Sequence, residues 1–302
     1  VFTSIFIGLG NSSIPFRINT IGLIANIILD PLLIFGFGPI PALGTNGAGI
    51  ATITAQIVVS FVFIGYIIKN RIEYFKVKYF RKIEFKYFKI LYKLGFPVAI
   101  QNALFTLISM AMGVIVASFG PVAVAVQKVG SQIESISWMS ADGFASALST
   151  FTGQNYGAGK YDRIKQGVRA GVVLSVLVNL PFAALEIFCP KLLASLMLND
   201  ATVISYTCIF LPVTGVALFA LGWLFVFRNA CQGMGKTVLP MVSGIVEVAM
   251  RVMVVLLLAP RLAFRGVAFA EISAWVGAGV MLMITYFFYQ RRLSGKTPDV
   301  RG

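Results

Sequence analysis

Apolar positions fall in long, nearly unbroken blocks separated by short clusters of Gly, Pro, Asn and charged residues. A block of roughly 20 residues is enough for a helix to cross a bilayer. Such blocks lie near residues 15–37, 47–68, 95–119, 121–151, 164–188, 203–230, 237–259 and 266–289. Residues 1–9 read as the end of one more span. The pattern predicts an all-α integral membrane protein with about eight complete spans plus the end of a ninth. Val1 is not an initiator Met and no signal-peptide pattern opens the chain. An N-terminally truncated sequence is therefore expected.

Composition narrows the picture. Of 302 residues, 58% are hydrophobic and 12% charged, and the mean hydropathy is +0.88. A soluble enzyme would lack the polar surface to cover itself. The chain has no His, which removes the imidazole base of Ser-His hydrolysis and the usual zinc-helix motif. No enzymatic activity is expected. The three cysteines, Cys189, Cys208 and Cys231, have no metal spacing and read as small apolar fillers.

A formal net charge of +14 is distributed as a membrane protein would distribute it. Threading the spans alternately puts 20 of the 25 Lys and Arg on one face, including Arg17, the run in 69–93, Lys160–Arg169, Arg228, Lys236 and the tail. Lys191, Arg261 and Arg265 mark the other face, while Lys128 and Arg251 lie within spans. This is the positive-inside pattern. It predicts a multi-pass cytoplasmic (inner) membrane protein with basic loops and C-terminus in the cytoplasm, some affinity for anionic lipid, and no nucleic-acid partner.

The sequence repeats itself. Gly8-Leu-Gly10-Asn-Ser-Ser-Ile-Pro15 recurs as Gly233-Met-Gly235-Lys-Thr-Val-Leu-Pro240 at an offset of 225. Each copy ends a span on the same face and precedes two more spans. Neither has the strand or the Lys-Ser/Thr pair of a phosphate-binding loop, so both read as tight helix-to-helix turns. A duplication pointing the same way through the membrane is a transporter signature. The expected division is 1–69 for the remainder of an amino-terminal lobe, 70–93 for a basic cytoplasmic linker, 94–290 for a carboxy-terminal lobe and 291–302 for a tail.

Ionisable groups inside spans are expensive and mark function by default. Asn26 and Asp30 are i, i+4 on one helix face, and Thr52, Gln56 and Ser60 form a stripe on the next helix. They read either as a proton or cation site or as a helix-end acid with polar neighbours. Lys128, Ser131, Gln132, Ser135 and Asp142 share one arc of their span, with Glu134 beside them. Facing lipid would be untenable, so the arc lines a cavity or a structural ion pair. Glu247 and Arg251 are again i, i+4, and the repeat offsets predict Arg251 beside Glu271. Gln101, Gln132, Glu134, Asp142, Glu247, Arg251 and Glu271 join Gln56 and Lys128 as cavity or substrate candidates.

These residues resemble the multidrug and toxic compound extrusion (MATE) family of antiporters. The resemblance rests on Gly8-Leu-Gly10-Asn11, Asn26-Ile-Ile-Leu-Asp30-Pro31, Gly47-Ala-Gly-Ile-Ala-Thr52, Leu94-Gly-Phe-Pro97, Gly153-Gln-Asn-Tyr-Gly157-Ala-Gly159 and Gly233-Met-Gly235-Lys236. It implies a two-lobe, twelve-helix fold whose helices one to three and most of the fourth lie outside this sequence. It further implies alternating access, no cofactor, and export of small organic, cationic or amphipathic substrates in exchange for H+ or Na+. Asn26, Asp30 and Thr52 match the family's first-lobe cation site, with Na+ possible at Asp30. The second-lobe acids of some Na+-coupled members have no counterpart in 95–119 or 203–231, which favours coupling through the first lobe. A flippase for lipid-linked oligosaccharides is the alternative; it calls for a cationic cavity, whereas the candidate acids here outnumber the bases.

Overall fold

The computed structural model describes residues 2–39, 41–75, 84–262 and 264–294, and its elements are helical throughout. In chain order they are α1 (Phe2–Gly8), α2 (Ser13–Ile34), α3 (Gly44–Lys69), a single 3-10 turn (Glu73–Phe75), α4 (Phe85–Ala117) and α5 (Pro121–Gly157). There follow α6 (Tyr161–Phe188), the short α7 (Pro190–Ser195), α8 (Ala201–Gly233), α9 (Val238–Leu262) and α10 (Phe264–Ser294). The protein is an all-α, multi-pass membrane protein. Seven of these helices are long and apolar enough to cross a bilayer.

The fourth of the eight expected spans, α5, differs. It is the longest element at 37 residues but too polar for that group, because Gln127, Lys128, Ser131, Gln132, Glu134 and Ser135 occupy two of its turns. A helix carrying such residues is tolerated only where they face protein or a water-filled space. A third of the basic stretch expected as linker at 70–93, residues 76–83, lies outside the described residues, and α4 is already helical from Phe85. The tail from 295 onward also lies outside them.

The chain forms two compact units, Val1–Phe88 and Lys89–Gly302. In the first, α2 and α3 pack along each other, and Phe6, Ile18 and Phe63 are buried where α1 joins them. In the second, α8 is the axis. Leu211, Leu218, Leu221 and Leu224 are wholly buried, and Trp275, Leu282 and Tyr286 of α10 pack into the same core. Apolar burial alone does not discriminate inside from outside in lipid, so this interior is specified by close packing and by polar groups that avoid the hydrocarbon.

The repeated glycine turns are the same object in three dimensions. Asn11 N donates to Phe6 O and Gly10 N to Ile7 O, at 2.9 and 2.8 Å. At the offset of 225, Lys236 N donates to Cys231 O and Gly235 N to Gln232 O, both at 2.9 Å. Gly10 and Gly235 hold φ of 81° and 72°, left-handed values that cost an L side chain its Cβ clearance. Both are Schellman-type closures that satisfy the last carbonyls of a helix. The end of α5 repeats the pattern with Lys160 N on Asn155 O at 2.8 Å and Gly159 at φ 68°. After α3, Ile72 N donates to Ile67 O and Arg71 takes the left-handed place at φ 48°.

Candidate functional site

Two polar recesses stand out, one in each unit. In the first unit a groove of about 270 Å³ runs between α2 and α3, lined by Asn19, Gly22, Asn26, Thr52, Ala55 and Gln56 among others. Asn26 Nδ2 donates to Asp30 Oδ1 at 3.3 Å, one turn along α2. Thr52 is exposed and its hydroxyl donates to its own helix, at Ala48 O, 3.0 Å away. The predicted trio is thus brought to one side of the helix pair. Asp30 is half-buried and adjoins the groove through Asn26 rather than lining it. An Asn amide held beside a carboxylate can keep donating to it or turn its carbonyl to an incoming cation.

The second unit holds a larger cavity of about 580 Å³. One wall is the polar arc of α5: Gln127, Lys128, Ser131, Gln132, Glu134 and Ser135. Phe105 of α4, Trp138 of α5 and Trp275 of α10 supply aromatic surface, with ring centroids 5.6 Å apart for Phe105–Trp138 and 5.9 Å for Trp138–Trp275. Arg251 of α9 and Glu271 of α10 complete the charged end. Glu134 is 3% exposed, and its Oε1 has no hydrogen-bond partner among the described residues. Within electrostatic reach it faces Glu271 (α10), Glu186 (α6), Arg251 (α9) and the Thr214 hydroxyl (α8).

Arg251 and Glu271, expected as neighbours from the repeat offsets, do share this cavity and interact electrostatically. Arg251 also approaches Glu247 at 3.6 Å, while the other oxygen of Glu247 holds Arg228 Nη2 at 2.8 Å. Arg228 was counted from sequence among the basic residues of one membrane face. The structure instead buries it, 9% exposed, in an ion pair between α8 and α9. Nineteen residues separate the partners, and no helical periodicity signals such a pairing; the clue available was an Arg inside an apolar block.

The remaining candidates separate clearly. Gln132 is on the cavity wall. Gln101 is buried, accepts from Gln232 Nε2 at 3.3 Å, and faces Arg228 and Glu247 across a void of about 10 Å³. Asp142 is exposed and lies three residues past Met139, the last lining residue of α5. Among the described residues no ion pair joins Lys128 to Glu134 or Asp142. Of the formal charges at the main cavity, Glu134 and Glu271 therefore stand against Lys128 and Arg251. The excess of acids expected from sequence is absent from its lining. Also among the described residues, no three His, Cys, Asp or Glu side chains converge as they would around a metal ion.

A many-helix membrane protein with a charged, aromatic-walled cavity inside one helical unit is built as polytopic transporters are. The MatE family model matches residues 97–257, more than half of the chain. A probable multidrug resistance protein NorM from Thermotoga maritima is 27% identical over 248 residues, covering 82% of this chain and 53% of that protein. An FAD transporter from Shewanella oneidensis is 30% identical over 256 residues, covering 83% of this chain and 55% of that protein. The fold matches that of the Vibrio cholerae MATE transporter VcmN in its bent form, with a TM-score of 0.85 at 23% identity over 97% of this chain and 66% of that one. This chain belongs to the MatE family, a family of membrane transporters and not of enzymes. It spans about half the length of the curated relatives it matches.

Proposed function

We propose that the protein is a secondary active antiporter, exporting small organic cations in exchange for H+ or Na+ by alternating access. The observation that carries this reading is the cavity of about 580 Å³ in the second unit, where the buried Glu134, together with Glu271, shares an aromatic lining with Lys128 and Arg251. Aromatic faces attract organic cations, and buried carboxylates answer their charge. Family membership, and relatives named for multidrug resistance or export, support export over import.

The ion would act at Asp30, with Asn26 and Thr52 beside it; Na+, if used, would bind there too. Ion binding at one site and substrate release at the other are then reciprocally linked through the inward- and outward-facing states. Gln56 extends the same groove. Gln101, Gln132, Glu134, Glu247, Arg251 and Glu271 surround or brace the substrate cavity, with Lys128 and Asp142 toward its exposed side. The proposed division remains 1–69, 70–93, 94–290 and 291–302. The basic loops would face the cytoplasm from the inner membrane and contact anionic lipid.

The test is Asp30→Asn in the full-length protein, assayed in everted vesicles with a fluorescent organic cation under separate H+ and Na+ gradients. Loss of gradient-driven efflux with binding retained supports coupling at Asp30. Efflux unchanged from wild type makes Asp30 a structural helix-end acid and moves coupling to Glu134, Glu247 or Glu271. A second reading, export of an anion, takes support from the 30% identical FAD transporter and from Lys128 and Arg251 in the cavity lining. Efflux of an anionic fluorophore and none of the cation would favour it.

A further inference from the structure

The charges around Arg251 are unevenly matched. Glu247 is already answered by Arg228, whose Nη2 lies 2.8 Å from Oε2. Arg251 makes only a longer approach of 3.6 Å to Oε1, too far for a hydrogen bond. On its other side Arg251 lines the cavity and is within electrostatic reach of both Glu271 and Glu134. Its Nε and Glu134 Oε1 both lack a hydrogen-bond partner among the described residues, and Arg251 itself is only 4% exposed. A buried guanidinium that commits to neither of two sets of carboxylates has two nearby resting places. A long side chain moves between them by rotamer changes, without moving the backbone.

We infer that Arg251 is a tethered cation that competes with the substrate, shared between Glu247 and the pair Glu134 and Glu271 when the cavity is empty and retreating fully onto Glu247 when a positively charged substrate arrives. The inference rests on the reading of this cavity as an organic-cation site and adds a determinant of its affinity. An ammonium or phosphonium group at Glu134 and Glu271 repels the guanidinium. Glu247 receives it at no cost to the Arg228 pair, which uses the other oxygen. When the substrate leaves, Arg251 returns, so the acids never stand bare in a low-dielectric site where unpaired charge is expensive. The device keeps cation affinity moderate and helps release, because each departing cation is replaced by one already inside the protein.

The experiment uses the full-length transporter purified in detergent, with tetraphenylphosphonium as the probe, and compares wild type, Arg251→Met, Arg251→Gln and Arg251→Lys. Removing one positive charge from the lining of the binding site, at the effective dielectric of a protein interior, changes cation affinity roughly tenfold to a hundredfold. Arg251→Met is expected to tighten binding by at least tenfold and to slow gradient-driven export in proteoliposomes. Arg251→Lys keeps the charge and stays within about threefold of wild type. Arg251→Gln retains polarity and gives the same tightening if the Met variant does not fold. Binding that is unchanged or weaker in both neutral variants overturns the inference. If wild type binds no tetraphenylphosphonium at all, the organic-cation reading fails first. If wild type binds it and the neutral variants do not tighten, only the tethered-cation role falls.

Discussion

Helix α8 passes α5 at a point where no side chain fits. A Cβ on Gly233 would lie 2.5 Å from Ser149 O, 2.9 Å from Thr152 Cβ and 3.2 Å from Gly153 N. Two of these are backbone atoms of α5 that cannot step aside. Ordinary contacts begin near 3.5 Å, so Gly233→Ala must push the two helices apart by close to 1 Å. Overpacking of this kind costs about 1–3 kcal/mol, against about 1 kcal/mol gained by replacing Gly with Ala in a helix. Gly153, on the facing helix, is the internal control. A Cβ there meets a single atom, Gly233 O, at 3.3 Å, so the helix-propensity gain outweighs the contact. Gly233→Ala is therefore expected to destabilise by up to about 2 kcal/mol, and Gly153→Ala to be neutral or stabilising by up to about 1 kcal/mol. Parallel denaturation of the purified protein in mild detergent, followed by tryptophan fluorescence, gives the comparison. Equal destabilisation by both substitutions, or a Gly233→Ala variant more stable than Gly153→Ala, would refute the close α5–α8 approach.

Breaking one side of the buried Arg228–Glu247 pair should be severe. Arg228→Met leaves Glu247 with only the longer Arg251 approach and is expected to cost about 3–5 kcal/mol. The double substitution Arg228→Met with Glu247→Met should cost less than Arg228→Met alone, as a double-mutant cycle on thermal or denaturant stability would read. Arg71 holds the left-handed place that glycine fills at the three related turns. Arg71→Gly should thus stabilise by roughly 0.5 kcal/mol, the relief of about 1 kcal/mol of backbone strain less the entropy glycine adds to the unfolded chain. A loss of stability in the same denaturation assay would mean that the Arg71 side chain is anchored by more than its backbone.

The sequence and the structure meet most closely where the chemistry is local. Helix ends at Gly10 and Gly235 were legible because a left-handed turn wants glycine, and the repeat offset carried through to identical backbone hydrogen bonds. The polar arc on α5 was legible from helical spacing, and Arg251 beside Glu271 from the duplication. Long-range pairing was not. Arg228 was read as a face-marking charge because hydropathy cannot tell an Arg near a span's end from one turned inward onto Glu247. Asp142 shares the arc's angular direction with Lys128 and Ser135 but lies two turns further along α5, so rotation about the helix axis predicted its side and not its depth. The short α7 went unseen for want of length, although Pro190 at its first turn was a start signal.

In the proposed function this protein moves organic cations outward at the expense of an ion gradient. The most direct test is accumulation of a fluorescent organic cation by everted vesicles containing the full-length protein, with an imposed H+ or Na+ gradient and with none. The expected result is accumulation under one of the two gradients, collapse when that gradient is dissipated by the matching ionophore, and no accumulation in vesicles lacking the protein. Accumulation that ignores both gradients, or is no greater than in vesicles without the protein, would contradict it.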